Sequence, residues 1–248
     1  MSFGTFESDK SYLINKFRNP VFSPDSGLDN ETVKKKLTDL AEKMEGQPHP
    51  VIKAKAFACV CENIQIDVSP HDWFPAFGCW NRYDRPLSPL IGKWEEEVNS
   101  KYLKTLKTFD EQNLSGAARM WKDFDHSVPD WDAVLSLGFP GLRERAREHR
   151  ARREEKGELT DGARAYFDGI EITYTAILGM LERFRNYALA HAGGNRRVMA
   201  VADSLDALIH GPPSNIYEVL HLTYLFFMLG EHIDRFQVRS LGNLDLDL

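Results

Sequence analysis

The chain has 248 residues, of which 42% are hydrophobic and 27% charged, and a net charge of −6. That length allows one large domain or two small ones with a sizeable core, and the acidic balance gives no general attraction to nucleic acid. No apolar run is long enough to span a bilayer, the opening MSFGTFESDK lacks a signal-peptide pattern, and three cysteines argue for a reducing compartment over a disulfide framework. The expectation is a cytoplasmic protein with no membrane and no nucleic-acid partner.

Residues 1–30 read as an N-terminal arm packed on the main body, which runs over 31–248. Tyr12, Leu13, Ile14 and Phe17 suit a short helix, and Pro20, Pro24 and Gly27 break it. Asp29 or Asn30 caps the next helix, whose Val33, Leu37, Leu40 and Met44 recur at three-four spacing. Gly46, Pro48 and Pro50 end it. An Ala-rich helical piece follows from Val51 to about Ile64 and carries Cys59 and Cys61. Residues 64–92 are irregular and crowded with rings: Trp73, Phe74, Phe77, Trp80 and Tyr83. The favoured reading is that these rings pin a long connection onto the core. The other is a pocket in which Arg82 or Arg85 holds an anion. Residues 93–108 resume an amphipathic helix with Trp94, Val98, Tyr102 and Leu106 on one face.

After a short stretch, Leu114–Trp121, comes FDHSVPDWDAVLSLGFPGL, Phe124–Leu142. Pro129 suits a first helical position, where its missing N–H costs nothing. Asp130 and Asp132 then fall in the first turn, against the positive helix end. Trp131, Val134, Leu135 and Leu137 form an apolar face, and Gly138 and Gly141 end the helix. His126 and Asp130 therefore sit at a helix entrance, where polar groups can be fixed in direction. His126 is either a turn histidine satisfied by neighbouring backbone or a site residue that binds a hydroxyl, carboxylate or carbonyl, or moves a proton.

Residues 143–158 alternate in charge and read as a solvated helix face. The clearest pattern is Gly162–Ala192, where Phe167, Ile170, Tyr174, Ile177, Leu181 and Phe184 recur at three and four. A shorter helix through Val198, Val201, Ala202, Leu205 and Leu208 stops at His210-Gly211-Pro212-Pro213. Ser214 or Asn215 caps a last helix, apolar nearly all round and so deeply buried. From Phe236 the period becomes two, through Val238, Leu241, Leu244, Leu246 and Leu248, with Asp245 and Asp247 on the other face. Nothing else reads as a strong strand, so the sheet it joins is expected beyond residue 248. The fold class is mainly α.

Spacing alone assigns no reaction. Cys59-Val60-Cys61 is too tight for a zinc ribbon, and Cys79 stands alone. His221 and His232 are not at metal-binding helical spacing, and no phosphate loop or Gly-x-Ser-x-Gly elbow occurs.

The segment His126-x-x-x-Asp130-Trp131, followed by a helix and Gly141-Leu142, resembles the glycyl radical enzymes, the pyruvate formate-lyase-like family that includes diol dehydratases. Further segments resemble the family in the same order: Gly162–Ala192 with its Arg183-x-x-x-Tyr187-Ala188 ending, Pro212-Pro213-Ser214-Asn215-Ile216-Tyr217-Glu218, and Ser240–Leu248, where Asn243 replaces the usual Arg. Arg85-Pro86-Leu87 is a looser match. The resemblance implies the helical N-terminal part of a glycyl-radical α/β barrel, ending in a first barrel strand. Family members are much longer. They carry a thiyl-forming Cys and a radical Gly, the latter activated by a separate iron–sulfur enzyme that uses S-adenosylmethionine. Here Cys59 and Cys61-Glu62 do not form the family's Cys-x-Glu, and Arg197-Val198-Met199-Ala200 has Ala where the radical Gly would stand.

The resemblance therefore implies no catalytic residue and no bound cofactor in this chain. It implies a substrate-binding role for His126, with Asp130 on the same segment. The implied partners are a missing C-terminal barrel or a full-length homologue, the activating enzyme, and a second copy in a homodimer. The implied function is that of an N-terminal fragment, inactive alone, of a lyase, dehydratase or formate acetyltransferase. The alternative is a complete, non-catalytic helical binding or regulatory module derived from that family.

Overall fold

A computed structural model describes residues 4–78, 85–116, 126–234 and 237–238, with 126–127 and 237–238 described in their backbone alone. The long three-four pattern becomes α7 (Asp161–His191), started by the Thr160 hydroxyl, which accepts from the Ala163 N–H at 3.2 Å. Its buried stripe includes Ile177, Leu181, Phe184 and Ala188. Three helices pack on α7: α3 (His49–Asn63), α6 (Trp131–Glu155) and α8 (Arg196–His210). The close approach of α3 depends on Gly169, where a Cβ would sit 2.9 Å from the Pro50 carbonyl oxygen. Arg183 of α7 fastens the far end of α3. Its guanidinium donates to the carbonyls of Cys61 and Ile64, the latter at 2.9 Å, and so satisfies acceptors that the helix end leaves open. The chain is mainly α, as the sequence predicts, with its core along α7.

Around this frame, α2 (Asn30–Lys43) is capped by Asp29, which accepts from the Thr32 N–H at 2.9 Å, and buries Val33 and Leu37. The arm forms α1 (Phe6–Arg18), but it docks in an unexpected way. Asp9 is buried, whereas Phe6 and Phe17 are each 68% exposed. The docking is electrostatic, because Asp9 serves the buried Arg197 of α8 at 2.7 Å.

Several sequence expectations are corrected. The irregular stretch contains a short antiparallel pair, β1 (Ile66–Asp67) with β2 (Ala76–Phe77). The expected continuous helix over 93–108 is two helices, α4 (Ser88–Ser100) and α5 (Leu103–Leu114), broken at Lys101-Tyr102; Val98 and Tyr102 are exposed rather than forming a buried stripe. Gly138 does not end α6 but kinks it, at φ +60° and ψ −179°, and Pro140 opens a second segment that absorbs the charged run as far as Glu155. That segment is tied to α7 by Arg147–Glu171 at 2.8 Å and Arg150–Asp168 at 2.6 Å.

The last helix, α9 (Ile216–Met228), is capped by Asn215, which accepts from the Glu218 N–H at 3.1 Å, while the Glu218 carboxylate accepts from the Ser214 N–H at 2.7 Å. It passes through a π turn, Leu229–Ile233, and the chain reaches β4 (Gln237–Val238). The strand expected to lack a partner in this chain has one: β4 pairs in parallel with β3 (His126–Ser127). Among the described residues β3 spans two positions, which show no alternation in the sequence. The predicted continuation Leu241–Leu248, with Asn243, lies outside the described residues. Among the described residues no helix is long and apolar enough to cross a membrane.

Candidate functional site

The corner at His126 is built from both sides. The β3–β4 register places His126 opposite Gln237 and Ser127 opposite Val238. Two residues on, the chain turns at Val128-Pro129 into α6. Asp130 is the N-cap rather than a first-turn residue, and its carboxylate accepts from the Ala133 N–H at 3.2 Å. The shift by one position follows from capping geometry, since a short acidic side chain bonds the third helical N–H best from just outside the helix. Asp130 is exposed, and Asp132 follows in the first turn.

The helix entrance is anchored by rings. Trp131 is buried and meets Phe226 of α9 edge-on, with centroids 5.5 Å apart. Phe139, just beyond the kink, lies parallel to the same Phe226 at 6.3 Å. One aromatic side chain thus holds both halves of α6. Since α9 leads through the π turn to β4, and β4 pairs with β3, the path closes on itself around the corner. Asp130 and the His126 backbone are fixed in direction by that closure. The corner can orient hydrogen-bonding groups; Phe124 and Asp125 before it lie outside the described residues.

The aromatic connection is pinned to the core, in line with the favoured reading. The Trp73 carbonyl accepts from the Tyr217 hydroxyl at 2.6 Å and the Pro75 carbonyl from the Tyr224 hydroxyl at 2.9 Å. Phe74 stacks on Tyr224 at 4.8 Å. Arg85 is buried and paired with Glu231, so it is not offered to an anion. Cys79, Trp80, Arg82 and Tyr83 lie outside the described residues.

Sequence reasoning missed the buried polar contacts. Arg197 donates to Asp9 and lies 4.7 Å over the Trp73 ring. Hydrogen bonds from His71, at 2.7 Å, and from Arg197 hold the Asp9 carboxyl below the usual carboxylate range. His221 is fully buried, shares a 2.9 Å hydrogen bond with the Ser204 hydroxyl, and is pulled down to about 3 by burial. Separations such as Asp9 to Arg197 leave no local trace in a sequence. The nearest signal was a histidine at a core position of an all-apolar helix. Arg197 and Val198, from the Arg-Val-Met-Ala stretch, are buried in the first turn of α8. Cys61 lies in the core, and burial pushes the Cys59 thiol up, away from the reactive thiolate. Among the described residues no group of three or more His, Cys, Asp or Glu is placed to hold a metal ion.

The family model described as pyruvate formate lyase-like matches residues 93–247. No curated protein sequence matches the chain. Three solved structures are similar. A glycyl radical enzyme from Archaeoglobus fulgidus has a TM-score of 0.65 at 16% identity, over 90% of this chain and 34% of that one. The glycerol-bound B12-independent glycerol dehydratase from Clostridium butyricum gives 0.58 at 15%, over 92% and 34%. The hydroxyproline dehydratase from Clostridioides difficile, with trans-4-hydroxy-L-proline bound, gives 0.56 at 15%, over 93% and 34%. The chain spans 34% of the length of each of these relatives, and likeness at such identity shows the fold.

Proposed function

Since the chain belongs to the pyruvate formate lyase-like family, we propose that it supplies the helical N-terminal part of a glycyl radical enzyme of the lyase, dehydratase or formate acetyltransferase type. In this reading residues 1–30 are an arm and 31–248 the incomplete enzyme domain. His126 and Asp130 help to hold a small hydroxylated substrate, and the thiyl Cys and radical Gly come from outside these 248 residues. The observation that supports it best is the parallel pairing of His126–Ser127 with Gln237–Val238. Parallel strands are normally buried on both faces inside a larger sheet, and among the described residues no further strand joins this pair. A barrel supplied by further sequence or by a full-length homologue completes it. The glycerol and hydroxyproline dehydratases, both acting on small hydroxylated molecules, support the substrate class.

The radical, installed by an activating enzyme with an iron–sulfur cluster and S-adenosylmethionine, supplies the bond cleavage when present. The task of this chain is to orient. The closure through α9, β4, β3 and α6 holds the backbone of the segment carrying His126, and Asp130, which caps α6 with one carboxylate oxygen, has the other to offer a substrate hydroxyl.

The test uses the chain assembled with its barrel, activated anaerobically and followed by electron paramagnetic resonance and by dehydration of glycerol or hydroxyproline. His126→Ala should leave the radical signal intact and lower kcat/KM by roughly 100-fold or more. Turnover by His126→Ala equal to that of the unaltered enzyme refutes the role of His126. Failure of the chain to form an activatable complex refutes the enzyme reading.

A further inference from the structure

A cavity of about 480 Å³ lies between α3, α7, the kink of α6 and the π turn, a volume in the range of small-molecule sites. It adjoins the His126 corner through Phe226, which lines it and meets Trp131 beside Asp130, but Asp130 is not among its lining residues. Tyr166 and Tyr174 add two more rings to its wall. Burial pushes the Tyr174 phenol up, so it stays neutral.

Only Lys53 and Asp234 bring charge to the lining among the described residues, and they pair at 3.0 Å. The two partners are unequal. Asp234 follows the π turn directly, with its backbone N–H donating to the Leu229 carbonyl at 3.1 Å, and its side chain is 26% exposed. Burial raises the Asp234 carboxyl pKa, against the pull of Lys53, which marks a poorly hydrated anion that needs a cation. Lys53 is 40% exposed on a long flexible stem and can return to water at little cost.

A ligand cation that displaces Lys53 exchanges one ammonium for another and gains the aromatic wall through apolar burial and cation–π attraction. A ligand anion meets Asp234 as a like charge. We propose that this cavity binds a small organic ammonium, an alkyl- or arylalkylamine whose hydrocarbon body lies among Phe139, Tyr166, Tyr174 and Phe226 and whose nitrogen takes the place of Lys53 on Asp234. The inference stands independently of the proposed function.

The experiment titrates 2-phenylethylamine into the 248-residue protein at neutral pH by calorimetry, with 3-phenylpropionate and 2-phenylethanol as matched anion and neutral. The amine should saturate one site and bind more tightly than either control. Asp234→Asn should weaken the amine by at least about tenfold, and Lys53→Met should bind it at least as well as the unaltered chain. Thr173→Phe, which fills the cavity from α7 without touching the ion pair, should abolish binding and serves as the second variant if Asp234→Asn does not fold. Absence of saturation by the amine overturns the proposal, as does equal or tighter binding of the carboxylate. Loss of amine binding on Lys53→Met overturns it as well.

Discussion

Replacing Gly138 with alanine tests whether the kink in α6 holds the corner in place. Gly138 has φ +60° and ψ −179°, a region that side chains other than hydrogen avoid at a cost of about 1–3 kcal/mol. An added Cβ would also lie 2.8 Å from the Gly211 carbonyl oxygen and 3.0 Å from the Pro212 Cα. Both are backbone atoms of the turn between α8 and α9, so no flexible side chain can give way, and overpacking of this kind costs about 1–3 kcal/mol more. The expected loss is therefore about 2–6 kcal/mol, roughly 5–20 °C in Tm for a chain of this size. The control is Gly179→Ala in the middle of α7, where a Cβ meets nothing within 4 Å. There the same change should stabilise by about 0.5–1 kcal/mol, because alanine is the better helix former. Thermal and urea unfolding of the two variants side by side measures the contrast. A Gly138→Ala protein that melts with the unaltered chain refutes the claim that close backbone approach sets the kink.

Asp130→Ala should cost about 0.5–2 kcal/mol by urea unfolding, and Asp130→Asn much less, because the amide oxygen still caps Ala133. The Asp9→Ala variant should be less stable than Asp9→Ala/Arg197→Met, because the single change leaves a buried guanidinium without its carboxylate; the reverse order in urea unfolding refutes the Asp9–Arg197 pair as the contact that docks α1. Acid should weaken the fold through His221. Its pKa is about 3 when folded against 6.5 as the ordinary value, so in that window the unfolded state binds more protons, and stability falls as pH is lowered. The slope approaches about 1.4 kcal/mol per pH unit below roughly pH 6. His221→Leu should remove that part of the slope when unfolding is compared at pH 7 and pH 5.

How much of this was legible in the sequence depended on the range of the interaction. The bounds of α7 fall within a residue of the Gly162–Ala192 pattern because helix period is a local signal; the Thr160 cap emerges only in the structure. The split of α4 from α5 leaves no such signal, because the apolar spacing from Trp94 to Leu106 continues through Lys101-Tyr102 where the helix does not. At Gly138 a kink and a helix end look alike in the sequence, since glycine gives the same local signal in both roles. Only the backbone of Gly211 and Pro212, brought close by packing, decides between them.

The corner shows the same limit at the level of function. A helix start concentrates polar residues, and for Asp130 that local cause, capping Ala133, accounts for its position. What raises the corner above an ordinary helix start is non-local. The strand at Gln237–Val238 returns beside His126–Ser127, and Phe226 grips α6 on both sides of its kink. A helix entrance held by its own cap can shift with its helix. One closed through another helix and a parallel strand pair moves only if the core moves with it, and that rigidity is what the proposed role of orienting a small substrate requires.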